Sequence, residues 1–151
     1  MKAFLKLSDR SRRMLRRMPD AAVPALAKGM RQAMIMAEGT ARGEYLSGRA
    51  LKRRTGRLRG SITHDVRISG DKVTGRIGSR VIYARIHELG GEIVPRQAKA
   101  LRFHIPGVGW RTAKRVRIPA RPFLRPSIED NLDDITRVLA KRVEEAFENV
   151  G

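Results

Sequence analysis

Pro119-Ala-Arg-Pro-Phe-Leu-Arg-Pro126 is the stretch from which the rest of the chain is best read. Its three prolines fix φ and remove three amide donors, which predicts an extended, non-helical piece. Phe123 and Leu124 are its bulky apolar groups, placed to plug a core, while Arg121 and Arg125 point elsewhere. Ser127 offers an N-cap oxygen, with Asp130 three residues on as an approximate capping box. A long last helix is expected to follow, with Leu132, Ile135, Leu139, Val143, Ala146, Phe147 and Val150 along one stripe.

Upstream, a first long helix is expected from Ala21 to about Leu46, capped by Asp20. Leu26, Met30, Ala33, Met34, Ala37, Ala41 and Tyr45 recur at i, i+3/i+4 spacing. Pro24 is tolerable because it falls in the first turn, where amides have no intrahelical partner. Met30, Met34 and Met36 read as core filler in preference to a promiscuous binding face.

Between the two helices lies the β-forming part. Residues 61–68 and 73–79 read as a hairpin, with Ile62, His64, Val66 and Ile68 alternating with polar residues and Ser69-Gly-Asp-Lys72 as the turn. Val73, Gly75 and Ile77 share a face, and the glycines at 75 and 78 signal a bulge or a close backbone approach. Residues 81–89 suit a short helix closed by Gly90-Gly91, with Ile82, Ile86 and Leu89 inward beside Tyr83. Two further strands are expected, residues 100–105 (Leu101, Phe103 and Ile105 inward) and residues 116–118. The glycine-punctuated stretch 106–115 between them reads as a binding loop with Trp110 at its tip.

The expected fold class is therefore α+β: a small antiparallel or mixed sheet of about four strands packed against two long helices, N-terminal and C-terminal. A short helix and long mobile loops at residues 47–60, 91–99 and 106–115 complete it. Length favours one domain over residues 1–151, with a basic segment at 1–19 ahead of a core at 20–151. The core anchors expected are Tyr83, Phe103, Phe123, Leu124, Leu132, Ile135 and Leu139.

Charge is the compositional anomaly. The chain has 33 basic and 15 acidic residues, a net +18. Residues 1–60 carry +12 and 61–126 carry +10, whereas 127–151 carry −4. Such a field favours nucleic acid or an acidic protein surface as partner, and the opposed signs permit head-to-tail contact between identical subunits. Arg12, Arg13, Arg16 and Arg17 around Met14, Leu15 and Met18 suit either a nucleic-acid arm or a docked surface helix. The basic loop at 47–60 lacks an interleaved aromatic to stack on bases, so a protein partner is preferred there.

The absence of cysteine excludes disulfides and thiolate chemistry and fits the cytoplasm. No apolar run approaches the roughly 20 residues of a membrane span, and the apolar core of residues 1–8 is too short for a signal peptide. His87-Glu88 resembles the start of a zinc-protease motif, but glycine stands at 91 where the second ligand belongs. His64 and His104 fall on apolar strand faces, where hydrogen-bonded core histidines are expected. No phosphate-cradling glycine motif and no nucleophile elbow is present. The expectation is a non-enzyme with no metal, no cofactor and no membrane contact.

Three blocks carry a family resemblance: Thr55-Gly-Arg-Leu-Arg-Gly-Ser-Ile62, Tyr83-Ala-Arg-Ile-His-Glu-Leu-Gly-Gly91 and Ile118-Pro-Ala-Arg-Pro-Phe-Leu-Arg-Pro126. Their order and spacing resemble the tail-completion and virion-morphogenesis proteins of tailed bacteriophages, a group that includes the minor tail protein Z type. The similarity covers about residues 50–140; the heavier basic load and the Arg-rich N-terminal segment depart from it. It implies a structural virion protein without catalysis, made in the host cytoplasm and placed at the virion neck. There it would form a homo-oligomeric, hexameric ring on the head-proximal end of the tail, complete the tail and allow head–tail joining. Neighbouring neck and tail proteins, and proximity to viral DNA, are implied as partners. On the residues themselves, Arg53, Arg54 and Arg57 are expected to meet acidic groups of a neighbour, with Trp110 as an apolar anchor, and Thr55 and Arg121 complete the expected assembly interface. A basic nucleic-acid-binding module is the alternative.

Overall fold

A computed structural model describes residues 2–5, 21–52 and 55–148. In chain order the elements are β1 (Lys2–Leu5), α1 (Ala22–Gly43), a 3₁₀ turn (Tyr45–Ser47), α2 (Arg57–Gly60), β2 (Ile62–Ser69) and β3 (Lys72–Ser79). They continue as α3 (Ala84–Leu89), β4 (Gly91–Ile93), β5 (Leu101–Ile105), β6 (Gly109–Ala113), β7 (Val116–Ile118), α4 (Leu124–Glu129) and α5 (Leu132–Glu148). The chain divides into two compact units, Ile82–Pro122 forming one and the flanking segments the other.

The larger unit is built around α1. Every residue of its expected stripe, from Leu26 through Met30, Ala33, Met34, Ala37 and Ala41 to Tyr45, is buried. One flank of α1 meets the antiparallel sheet of order β1-β3-β2, and α4 and α5 also pack on α1. Two glycines set how closely its neighbours approach. A Cβ on Gly75 of β3 would lie 2.7 Å from the Met30 sulfur and 2.8 Å from that of Met34. A Cβ on Gly29 would lie 3.1 Å from Leu139 and 3.2 Å from Arg142 of α5. The close approach expected at Gly75 is thus a helix pressed onto the sheet.

The β2–β3 hairpin pairs Ile62 with Ser79 through Ser69 with Lys72. Gly70, with φ of 58°, takes the first turn position that a side chain would disfavour. His64 is half-buried and its Nδ1 donates to Glu38 of α1 at 2.5 Å. Arg42 pairs with the other oxygen of Glu38 at 2.7 Å and donates to the Ile62 carbonyl, which fastens the helix to the hairpin's first residue.

The Pro-rich stretch behaves differently from its reading as wholly extended. Pro126 sits in the first turn of α4, where its missing amide hydrogen costs no intrahelical bond, so Leu124 to Glu129 is helical. Ser127 is fully buried, and its hydroxyl bonds back to the Leu124 carbonyl at 2.7 Å instead of capping a helix. The expected single last helix is two, broken at Asp130–Asn131. Asn131 supplies the carbonyl that receives the Ile135 amide at 2.8 Å, and its side chain bonds Thr40 of α1 at 2.9 Å. Asp130, expected in a capping box, bonds Tyr45 and Arg49. α1 starts from Ala21 with no side-chain cap; Asp20 and the basic segment 8–18 lie outside the described residues.

Among the expected anchors of this unit, Phe123 and Leu124 are 0% exposed and Ile135 1%, and Leu139 is half-buried. Leu132 is a correction: as the first residue of α5 it is 43% exposed.

The smaller unit holds α3 and two separate two-stranded antiparallel ribbons, β4–β7 and β5–β6. The described strands therefore form one three-stranded sheet and two ribbons, not one sheet of about four strands. β4 falls inside the stretch expected as a loop at 91–99, and β6 inside the one expected at 106–115. Three residues, Pro106 to Val108, suffice to turn the chain, so Trp110 lies in a strand opposite His104 and not at a loop tip.

Candidate assembly interface

In the smaller unit, α3 ends on Gly90, whose φ of 69° with ψ of −174° is a backbone conformation essentially open to glycine alone, and not the αL form of the usual helix cap. A Cβ there would lie 2.8 Å from the Ala120 nitrogen and 3.0 Å from the Ile118 carbonyl oxygen. The Arg121 amide donates to the His87 carbonyl at 2.6 Å, and β4 pairs with β7 from Gly91–Ile118 to Ile93–Val116. The block Tyr83–Gly91 and the first four residues of the block Ile118–Pro126 are therefore neighbours in space. Burial, and then the charge of Arg121, hold the His87 imidazole below its ordinary pKa. Its ring meets that of Tyr83 edge-on at 6.0 Å.

The surface of this unit is unusual for a folded segment. Tyr83, expected as an anchor, is 39% exposed; Phe103 is half-buried, and of the expected inner stripe of α3, Ile82 and Leu89 are exposed. The buried positions of α3 are instead Ala84 and Glu88. Eight of the eleven exposed large hydrophobics among the described residues fall between Ile82 and Trp110. A two-stranded ribbon cannot bury both of its faces, which leaves apolar residues exposed. All nine of the unit's Lys and Arg residues are exposed as well.

One face of the β5–β6 ribbon shows how this surface is organised. Arg102, His104, Trp110 and Thr112 share it, because Arg102 pairs with Thr112 and His104 with Trp110. The Arg102 guanidinium lies 4.8 Å from the centroid of the Trp110 ring, and the His104 ring meets it edge-on at 5.5 Å. Trp110 is 60% exposed yet held from two sides. His104, expected in a core, is exposed on this face.

The remaining expected interface residues are spread over both units. Thr55 and Arg57 are exposed at the start of α2, the Thr55 hydroxyl accepting the Arg57 amide at 3.3 Å. Arg53 and Arg54 lie outside the described residues. The Arg121 side chain is exposed in the smaller unit, as is Trp110. The exposed apolar residues of β4 and of the loop after it, Ile93 and Val94, escaped the sequence reading. Both belong to an apolar triplet, Ile-Val-Pro, too short to show a period.

Comparison with known proteins places the chain. The model of the phage virion morphogenesis family matches residues 28–149. The chain belongs to that family. Its members are structural proteins of bacteriophage particles, in keeping with the resemblance carried by the three blocks. No curated protein and no solved structure matches the chain.

Other sites are less organised. A cleft of about 500 Å³ on the hairpin of this virion-morphogenesis protein is lined by Ser61, Thr63, Asp65, Arg67, Arg76 and Arg80 among others. Two pairs among its polar groups are engaged with one another: the Ser61 and Ser79 hydroxyls bond at 2.7 Å, and Asp65 pairs with Arg67 at 2.9 Å. Among the described residues no group of three or more His, Asp or Glu is placed to hold a metal ion, and no helix is long and apolar enough to cross a membrane.

Proposed function

We propose that this protein acts at the head–tail junction of a tailed bacteriophage, as a ring subunit on the head-proximal end of the tail. It completes the tail and allows it to join the filled head. The family match supplies the virion setting. The observation that carries the finer reading is the smaller unit's concentration of exposed hydrophobic and basic side chains, eight large apolar residues among 41 positions. Surface of that kind is a cost for a free monomer and is covered when subunits assemble.

In this reading the larger unit is the rigid frame, and the contacts come from the smaller unit and the basic loop after α1. Arg53, Arg54 and Arg57 meet acidic groups on a neighbour, and Trp110 anchors the contact in an apolar pocket. The ring assembles in the host cytoplasm and ends in the virion neck, against neighbouring neck and tail proteins.

Deletion of the gene from its phage or prophage, followed by electron microscopy of the particles, tests this. Filled heads beside unjoined or abnormal tails, restored when the protein is supplied, are expected. Intact infectious particles would overturn it.

A nucleic-acid role has one observation in its favour, the nine exposed cations of the smaller unit, of which only Arg115 has an ion pair with a described residue, Glu92 at 3.7 Å. The apolar residues between those cations weigh against it, since a phosphate backbone offers nothing to bury them.

A further inference from the structure

The ring reading leaves open what covers the smaller unit, and the charges of the molecule select an occupant. Residues 82–122 contain nine basic and two acidic residues, a net +7. The one acidic region of the chain is its end, residues 127–151 at −4. On α5, Asp134 is paired with Arg137 at 2.7 Å, and Glu145 with Arg142 at 3.0 Å. Asp133, Glu144 and Glu148 are exposed and make no ion pair with a described residue. At about 100° per residue these three carboxylates fall within an arc of about 60°, spread over about 22 Å of helix, an arc that also holds Arg137 in its pair with Asp134. Leu132, exposed at the start of the same helix, adds an apolar contact point.

We propose that the Trp110-bearing, basic surface of Ile82–Pro122 in one copy docks on the α5 surface of a second copy. Lys114, Arg117 and Arg121 face Asp133, Glu144 and Glu148 there, with Trp110 against Leu132. The proposal rests on the ring reading and names its contact. Two copies meeting through the same patch would bring +7 against +7, which disfavours a two-fold contact. Oppositely charged patches on one chain make a head-to-tail contact that repeats from copy to copy, the kind of contact from which rings are built. A duplex would satisfy the cations of this surface but leave its eight large apolar side chains in water.

A charge-swap experiment in the phage tests the pairing. One variant carries K114E, R117E and R121E; a second carries D133K, E144K and E148K; a third carries all six. All six positions are exposed, so each protein should melt as the wild type does, and that is checked first. Each three-fold variant alone should fail to restore infectious particles to the deletion strain. The six-fold variant should restore them, and so should the two three-fold variants supplied together, because each then offers the patch the other lacks. Failure of both rescues, with all variants folded, would overturn the proposal. So would a basic-patch variant that fails through lost, salt-dependent binding to duplex DNA while the α5 variant is normal. Since the rescue is scored against the deletion strain, intact particles in that strain itself would count against the neck reading, separately from the pairing.

Discussion

The Tyr45 hydroxyl donates a 2.5 Å hydrogen bond to Asp130 Oδ2, across 85 residues of sequence. Arg49 reaches the same oxygen at 2.8 Å and lies over the Tyr45 ring, 4.6 Å from its centroid. The end of α1 is thereby tied to the break between α4 and α5. The Tyr45 hydrogen bond, and after it the Arg49 charge, hold the Asp130 carboxyl below the usual carboxylate range, while burial foremost pushes the Tyr45 phenol up.

The pH dependence of this tie follows from its sign. A carboxyl with a lowered folded pKa stabilises the fold above its unfolded pKa, about 3.9 for aspartate, and loses that contribution as pH falls through the lower folded value. Tyr45→Phe removes the main cause of the lowering. The variant should be less stable than wild type at neutral pH, with the gap narrowing in acid below about pH 4. Urea denaturation at neutral and acid pH measures both. A gap independent of pH would assign the loss to packing alone.

Phe123 leads into α4 and Leu132 opens α5, and the two should respond unequally to truncation. Phe123 is the largest fully buried side chain, so Phe123→Ala should cost about 3–5 kcal/mol through lost burial and the cavity left behind. Leu132→Ala, at 43% exposure, should fall within about 0.5 kcal/mol of wild type. Equal losses would place Leu132 in the core after all.

Gly75→Ala tests the close approach of α1 to the sheet. Its Cβ would press on two methionine sulfurs that are themselves fully buried, so both side chains must shift. Overpacking of this kind costs about 1–3 kcal/mol. Thermal melting of Gly75→Ala should show the loss, and combining it with Met34→Val should return part of it; no recovery in the double variant would mean the strain lies in the backbone.

How much of this was legible in sequence varies with the physics of each element. The α1 stripe from Leu26 to Tyr45 was readable because a 3.6-residue period over several turns leaves one face to bury. The hairpin was readable because Gly70 and Asp71 sit between two alternating runs. The break at Asp130–Asn131 was hidden, because Asn131 and Asp130 act through partners on α1 that no local pattern announces. Pro126 misled, since proline forbids a helix interior but not a first turn. The ribbon residue Trp110 was found as a candidate contact while its strand was missed, because Gly107 and Gly109 hid a three-residue turn. Ile82 and Leu89 failed as an inner stripe because a six-residue helix is too short for its period to dictate burial.

Trp110 and Arg102 offer the sharpest test of the interface. An exposed ring contributes little to the monomer, so Trp110→Ala should leave melting unchanged. If the ring anchors assembly, the same substitution should abolish rescue of the deletion strain, as truncation of a central aromatic does. Arg102 acts one step removed: its guanidinium over the ring restricts Trp110 before any partner arrives, which lowers the ordering cost on binding. Arg102→Ala should therefore weaken assembly moderately, and should add nothing in a Trp110→Ala background. The coupling expected for an exposed cation–π pair is about 0.5–1 kcal/mol, readable as a two- to five-fold shift in the concentration at which subunits assemble. Additive effects of the two substitutions would show that Arg102 contacts the partner directly and does not position the tryptophan.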